Sequence, residues 1–241
     1  MNYYIITGTS RGIGKALAEA LLQNDQNVVH GVSRRKIIEH PNYIHHPLDL
    51  SDLDGVEHNF QKIFLPFKDA DKVVLVNNAG VIGEVGYVGE FKDDHFEFVF
   101  DTNLISPAIL MNEFLRHYAQ LPCLKVILNI SSGAGKYPID GWAAYCASKA
   151  ALDMLSLTVQ KEQDLRGNQV KVFALAPGVV DTAMQEHIRE SEPNSFSTLQ
   201  KFHDYKEQSL LSSPEDVAEK MLKLLDNPER YKDVVMRIDE V

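Results

Sequence analysis

The chain has 241 residues, 44% hydrophobic and 24% charged, with a net charge of −10 at neutral pH. That length suits a single α/β domain able to bury a full core. The acidic balance argues against nucleic acid or an anionic membrane as a main partner, and against an acidic carrier protein as substrate.

Short β-branched runs alternate with longer helical patterns. Tyr3-Tyr4-Ile5-Ile6 reads as a strand that ends in the turn Gly8-Thr9-Ser10-Arg11-Gly12-Ile13-Gly14, and residues 15–24 follow with helix formers. Strands are expected at 27–32 and 43–48, and a helix at 51–64 with Ser51 as its N-cap. A buried strand at 72–76 precedes helical patterns at 94–102 and 107–120, on either side of Asn103. A strand at 124–130, a long helix at 143–162 and a strand at 170–175 come next. Ser213-Pro214-Glu215-Asp216 combines a cap, a first-position proline and acids, so it starts a helix that stops at Asn227-Pro228. A last strand is expected at 234–238. The alternation predicts right-handed βαβ units, and hence a doubly wound parallel sheet of Rossmann type with helices on both faces, in one domain. Residues 184–211 are polar and only patchily helical, as expected of a substrate lid.

No apolar run reaches the length of a membrane span. The sequence opens into the first strand with no basic region or cleavage site, so the expected compartment is the cytoplasm. Cys123 and Cys146 form no disulfide framework. His30, His40, His45 and His46 lack converging carboxylate or thiolate partners, so no metal is expected.

Chemistry concentrates at the strand ends. Glycines at 8, 12 and 14, between a strand and a helix, let the backbone approach a pyrophosphate at a helix N-terminus. An acid after the second strand would bind the ribose hydroxyls of NAD, but Ser33-Arg34-Arg35 stands there. A hydroxyl and two guanidiniums, with Arg11 nearby, suit a 2′-phosphate, so NADP(H) is the expected cofactor. Asp49, in Leu48-Asp49-Leu50, suits an adenine amine, and Asn78-Ala79-Gly80 suits close packing against a cofactor edge. Ser131 and Ser132 follow the fifth strand, where a hydroxyl can hold a substrate oxygen. Tyr145 and Lys149 share one helix face, and a nearby ammonium favours the phenolate.

Thr7-Gly8-x-x-x-Gly12-x-Gly14, Asn77-Asn78-Ala79-Gly80, Asn103, Ser132, Tyr145-x-x-x-Lys149 and Pro177-Gly178 with Thr182 resemble, in order and spacing, the short-chain dehydrogenase/reductase family. The resemblance implies Tyr145 as proton donor to a carbonyl oxygen, Ser132 as the group holding that oxygen, and Lys149 as ribose ligand and tuner of the tyrosine. It implies Asn103 as the organiser of a water leading to the lysine. Val180 and Thr182 would hold the carboxamide. Ser132 is preferred to Ser131 for its spacing to the tyrosine.

Within that family the chain is most similar to sepiapterin reductases and bacterial benzil (diketone) reductases. The similarity rests on Gly141-Trp142-Ala143-Ala144-Tyr145-Cys146 and on Asp181-Thr182-Ala183-Met184-Gln185. It implies a substrate pocket with Trp142, Met184 and Gln185, and Asp239 as an anchor near the C-terminus. The expected activity is NADPH-dependent reduction of a small-molecule ketone or diketone, by a homodimer or homotetramer. A ketoacyl thioester reductase and a non-catalytic NADP-binding regulator of the same fold stand as alternatives.

Overall fold

In a computed structural model, which describes residues 1–67 and 69–241, seven strands form one parallel sheet. They are β1 (Asn2–Thr7), β2 (Asn27–Ser33), β3 (Tyr43–Pro47), β4 (Lys72–Asn77), β5 (Leu124–Ile130), β6 (Val170–Ala176) and β7 (Val235–Arg237), in the order β3-β2-β1-β4-β5-β6-β7. The strand order reverses between β1 and β4. That switch point opens a crevice beyond the carboxyl ends of the strands, where open α/β sheets take their ligands.

The helices are α1 (Gly12–Leu21), α2 (Leu53–His58), α3 (Phe60–Ile63), α4 (Asp94–Phe100), α5 (Ser106–Tyr118), α6 (Ala143–Arg166), α7 (Ala183–Arg189), α8 (Leu199–Glu207) and α9 (Pro214–Asp226). Period-two alternation of strand side chains splits the core between the two faces. Tyr4 and Ile6 of β1 pack with Leu17 and Leu21 of α1 and with Met221 and Leu224 of α9. Ile5, between them in sequence, packs on the opposite face with Leu110 and Phe114 of α5 and Leu152 of α6. The doubly wound parallel sheet expected from the sequence is therefore present.

Local chemistry explains most helix boundaries. Ser213 accepts from the Asp216 amide, with Pro214 in the first turn of α9. Gly167, at φ 69°, closes α6 in the left-handed region. Ser51 is not the cap it was expected to be. The Asp49 carboxylate takes both its amide and its hydroxyl, at 3.1 and 2.9 Å, and Asp52 instead accepts from the Gly55 amide to cap α2. The expected helix over 51–64 is divided at Asn59, whose side chain donates back to the Gly55 carbonyl.

The patterns on either side of Asn103 are not separate helices. A π turn over Asp101–Ile105 joins α4 to α5 without a break. Residues 184–211 are also more ordered than their polarity suggests. They carry α7 and α8, anchored by Ile188, Phe196 and Phe202, which pack with Trp142 and Tyr145 in a third apolar cluster.

Candidate active site

The crevice is a cleft of about 1090 Å³, at the upper end of ordinary ligand pockets and large enough for a cofactor together with a substrate. Its floor is laced by short polar side chains. The Thr7 hydroxyl accepts from the Asn78 and Ala79 amides, both at 3.0 Å, and Asn78 Nδ2 donates to the Thr7 carbonyl at 2.8 Å. Behind them, Asn77 donates to Asn129, and Asn129 to Ser156 of α6, both at 2.8 Å. These amides hold the ends of β1, β4 and β5 in one plane. A Cβ on Gly14 would collide with the Asn78 side chain and the Gly8 carbonyl, so the turn closes tightly only with glycine there.

That turn presents Gly8, Ser10, Arg11, Gly12 and Ile13 to the cleft at the N-terminus of α1, whose first turn holds no acid. Unpaired amides and the positive end of a helix favour a pyrophosphate. Across the opening, Ser33 and Arg34 end β2, and Arg34 lies 3.6 Å from the Asp49 carboxylate. Burial pushes the Asp49 carboxyl up, but hydrogen bonds from Ser51 and the Arg34 charge hold it below its ordinary range. A ring of small residues, helix amides and guanidiniums fits a phosphorylated dinucleotide.

The reacting groups sit where β5 meets α6. Ser132 leaves β5 in an extended conformation, and its hydroxyl accepts from the Ala134 amide. Tyr145 stands in the first turn of α6, one helical turn before Lys149, and both are buried. Lys149 Nζ donates to the Ile130 carbonyl at 2.8 Å and lies 5.7 Å from the Tyr145 ring centroid. Burial pushes the Lys149 ammonium down to about 8, while Asp153, a further turn along α6, pulls it up. Burial also pushes the Tyr145 phenol up, and the Ser132 hydroxyl pulls it down. The net direction is upward, not the lowering expected from Lys149: in a buried site, desolvation of the phenolate outweighs its stabilisation.

Asn103 lies in the π turn and does not reach the cleft wall. Its amide accepts from the Val81 N–H at 2.8 Å and donates to the Val81 carbonyl at 2.7 Å and to Ser148 Oγ at 3.2 Å. It braces the loop after β4 against the catalytic helix.

The far half of the cleft is apolar. Trp142, the residue before α6, packs edge-to-face on Tyr145 and lies 5.6 and 5.3 Å, between ring centroids, from Phe196 and Phe202. Asp140 pins this cluster down. Its carboxylate takes the Ser197 amide and hydroxyl at 2.7 and 2.8 Å and the Tyr87 hydroxyl at 3.0 Å.

Most residues expected at the site do line the cleft. They include Leu50, Asn78, Ala79, Gly80, Pro177, Gly178, Val180, Thr182, Trp142, Met184, Gln185 and Asp239. Three do not. Gly14 packs beneath the turn, Asn103 stands behind the wall, and Arg35 faces away, contributing its carbonyl as acceptor for the Ser33 hydroxyl. Arg34 and Arg35 alternate across the strand end, so one guanidinium faces the cleft and the other does not. Asp239 reaches the cleft edge already paired with Arg237 at 2.6 Å. Sequence reading missed the apolar wall of Ile82, Ile139, Ile188 and Phe202. Only Ile188 left a signal, four residues after Met184 on the same face of α7.

The sequence profile of the family described as short chain dehydrogenase matches residues 2–193. A benzil reductase ((S)-benzoin forming) of Bacillus cereus is 40% identical over 250 residues, covering all of both chains. A sepiapterin reductase of Rattus norvegicus is 30% identical, over 83% of this chain and 82% of its own. Among solved structures, a short-chain dehydrogenase/reductase from Saccharomyces cerevisiae superposes with a TM-score of 0.86 at 27% identity, covering 99% of this chain and 96% of its own. The chain belongs to the short-chain dehydrogenase/reductase family.

Proposed function

We propose that the protein is an NADP(H)-dependent carbonyl reductase whose substrate is a small apolar ketone, foremost a vicinal diketone carrying aryl groups. The observation that carries this reading is position. Tyr145, Ser132 and Lys149 stand at the seam between a glycine-lined half suited to a dinucleotide and an aromatic half suited to a ring-bearing ketone. The full-length likeness to a protein named benzil reductase supports the diketone, and Arg11 and Arg34 at the adenosine end support NADP(H).

Bound NADP(H) supplies hydride to the carbonyl carbon. Tyr145 holds the proton at its Oη and gives it to the carbonyl oxygen. The raised pKa suits that direction, because the phenol is protonated before the reaction. Ser132 donates a hydrogen bond to the same oxygen, where charge develops in the transition state. The Lys149 ammonium, 5.7 Å from the ring, favours the tyrosinate left behind. Trp142, Phe196 and Phe202 exclude water from the seam.

The test follows cofactor absorbance with benzil, sepiapterin and an acetoacetyl thioester, each with NADPH and with NADH. Fastest NADPH oxidation with benzil, giving a singly reduced hydroxyketone, is expected. Preference for the thioester would replace the diketone reading, and equal rates with NADH would remove the NADP(H) assignment.

A further inference from the structure

Beneath the strand end that faces the adenosine half lies a buried polar network whose groups come from three separate elements. Thr9, from the glycine turn, meets the Tyr43 hydroxyl at 2.8 Å and the Ser33 hydroxyl at 3.4 Å. His45 Nε2 contacts Ser33 twice, the carbonyl at 2.9 Å and Oγ at 3.2 Å. The Ser33 hydroxyl is also 2.9 Å from the Arg35 carbonyl. Thr9, Ser33 and Tyr43 are buried, and His45 half-buried.

The network exists because of a gap in β2. Gly31 pairs with His45 in register, and a Cβ there would collide with the Tyr43 phenol. With glycine, the Tyr43 ring crosses β2 and reaches the turn. Burial at this place pushes the Tyr43 phenol up, so it stays a neutral donor and acceptor.

Carbonyl chemistry fixes the direction of the protons. A backbone carbonyl only accepts, so His45 Nε2 must carry the hydrogen that it shares with Ser33. Ser33 Oγ therefore accepts from the imidazole and keeps its own proton for donation. Without ligand that proton goes to the Arg35 carbonyl. An anionic oxygen at the strand end is a stronger acceptor, since charge-assisted bonds are roughly twice as strong as neutral ones.

We propose that His45 is a positioning residue for cofactor choice: by fixing Ser33 Oγ as a donor, it raises affinity for an adenosine 2′-phosphate and leaves the unphosphorylated ribose little affected. The proposal rests on the NADP(H) reading above and names a residue on β3, outside the cleft wall, as part of that selectivity.

The experiment is calorimetric titration of the full chain with adenosine 2′,5′-bisphosphate and with 5′-AMP, so that no turnover is involved. In the wild type the bisphosphate should bind at least tenfold more tightly than AMP. His45→Leu should weaken the bisphosphate about three- to tenfold and leave AMP within twofold, as expected for one lost orienting hydrogen bond. His45→Gln, whose amide can donate to the same pair of oxygens, should recover most of that loss. In a Ser33→Ala background, His45→Leu should add nothing, and this comparison stands in if the single variant folds poorly. Arg34→Ala tests the underlying reading separately. Loss of bisphosphate affinity in Arg34→Ala with none in His45→Leu would keep NADP(H) and overturn the role of His45. Equal weakening of both nucleotides by His45→Leu would reduce the histidine to a packing role. A wild type indifferent to the 2′-phosphate would overturn both.

Discussion

At the adenosine end of the cleft the walls are backbone and short side chains, Gly8, Gly12, Asn78 and Ala79, cross-linked to the strands by Thr7 and Asn78. Beyond Tyr145 they are apolar side chains on helices, with Trp142, Ile188 and Phe202 in one cluster and Asp140 tying the segment down. The first half is rigid because it is the sheet itself, so its chemistry is set by a few charged groups at the edge. The second half is carried by α7, α8 and their loop, so its shape depends on side-chain packing that can change without disturbing the strands. Variants in one half should therefore leave the other half's binding intact.

The hardest test falls on the seam. Tyr145→Phe should lower kcat by about 10² to 10⁴, the usual worth of a positioned acid, and leave the NADPH Kd within about threefold by fluorescence titration. A wild-type kcat in this variant would break the mechanism, and lost NADPH binding would show the two halves to be one unit. Next comes the adenosine edge. Arg34→Ala should weaken NADPH about 10- to 100-fold, in line with a charge-assisted bond worth about 1.5–3 kcal/mol. NADH should barely change, and Arg35→Ala should do little, because that side chain faces away. Comparable losses from both arginines would contradict the geometry.

On the substrate side, Phe196 is almost wholly buried against Trp142. Phe196→Ala removes packing of the kind that costs about 3–5 kcal/mol in a core. It should raise KM for an aryl diketone about tenfold and speed proteolysis of the 190–198 stretch, with the NADPH Kd unmoved. A shift in NADPH affinity instead would show the halves to be coupled. The smallest effect concerns pH. Lys149 is charged below about 8 and loses its proton as pH rises through that value, and Asp153 holds this titration higher than burial alone would. Asp153→Asn should move the alkaline limb of the kcat profile to lower pH. A limb unmoved or moved upward would mean that Lys149 does not control it.

The same contrast decided what could be read from the sequence. Glycines at 8, 12 and 14, the amides at 77 and 78, and the Tyr145–Lys149 spacing mark the adenosine half and the seam, because close backbone approach and helix geometry leave few residue choices. The sheet was equally plain, since β4 and β5 are buried on both faces and read as continuous apolar runs. The substrate half was not legible. Ile188, Phe196 and Phe202 sit in a polar stretch without strict period, and only tertiary packing gathers them on Trp142. Arg35 was misplaced because sequence shows two adjacent guanidiniums but not which way the strand end turns. The phenol of Tyr145 was expected to fall and instead rises, because burial is a property of the fold.

The π turn at Asp101–Ile105 makes the α4–α5 rod two helices spliced out of phase. Each α-helical residue advances about 100° and 1.5 Å, so removing one residue from the splice would rotate the downstream part by that angle. Leu110, Met111 and Phe114 could then keep their seats on the sheet only if Asn103 gave up Val81 and Ser148. The brace behind the catalytic helix and the packing of α5 are thus one choice of phase, and neither can be altered in length without the other.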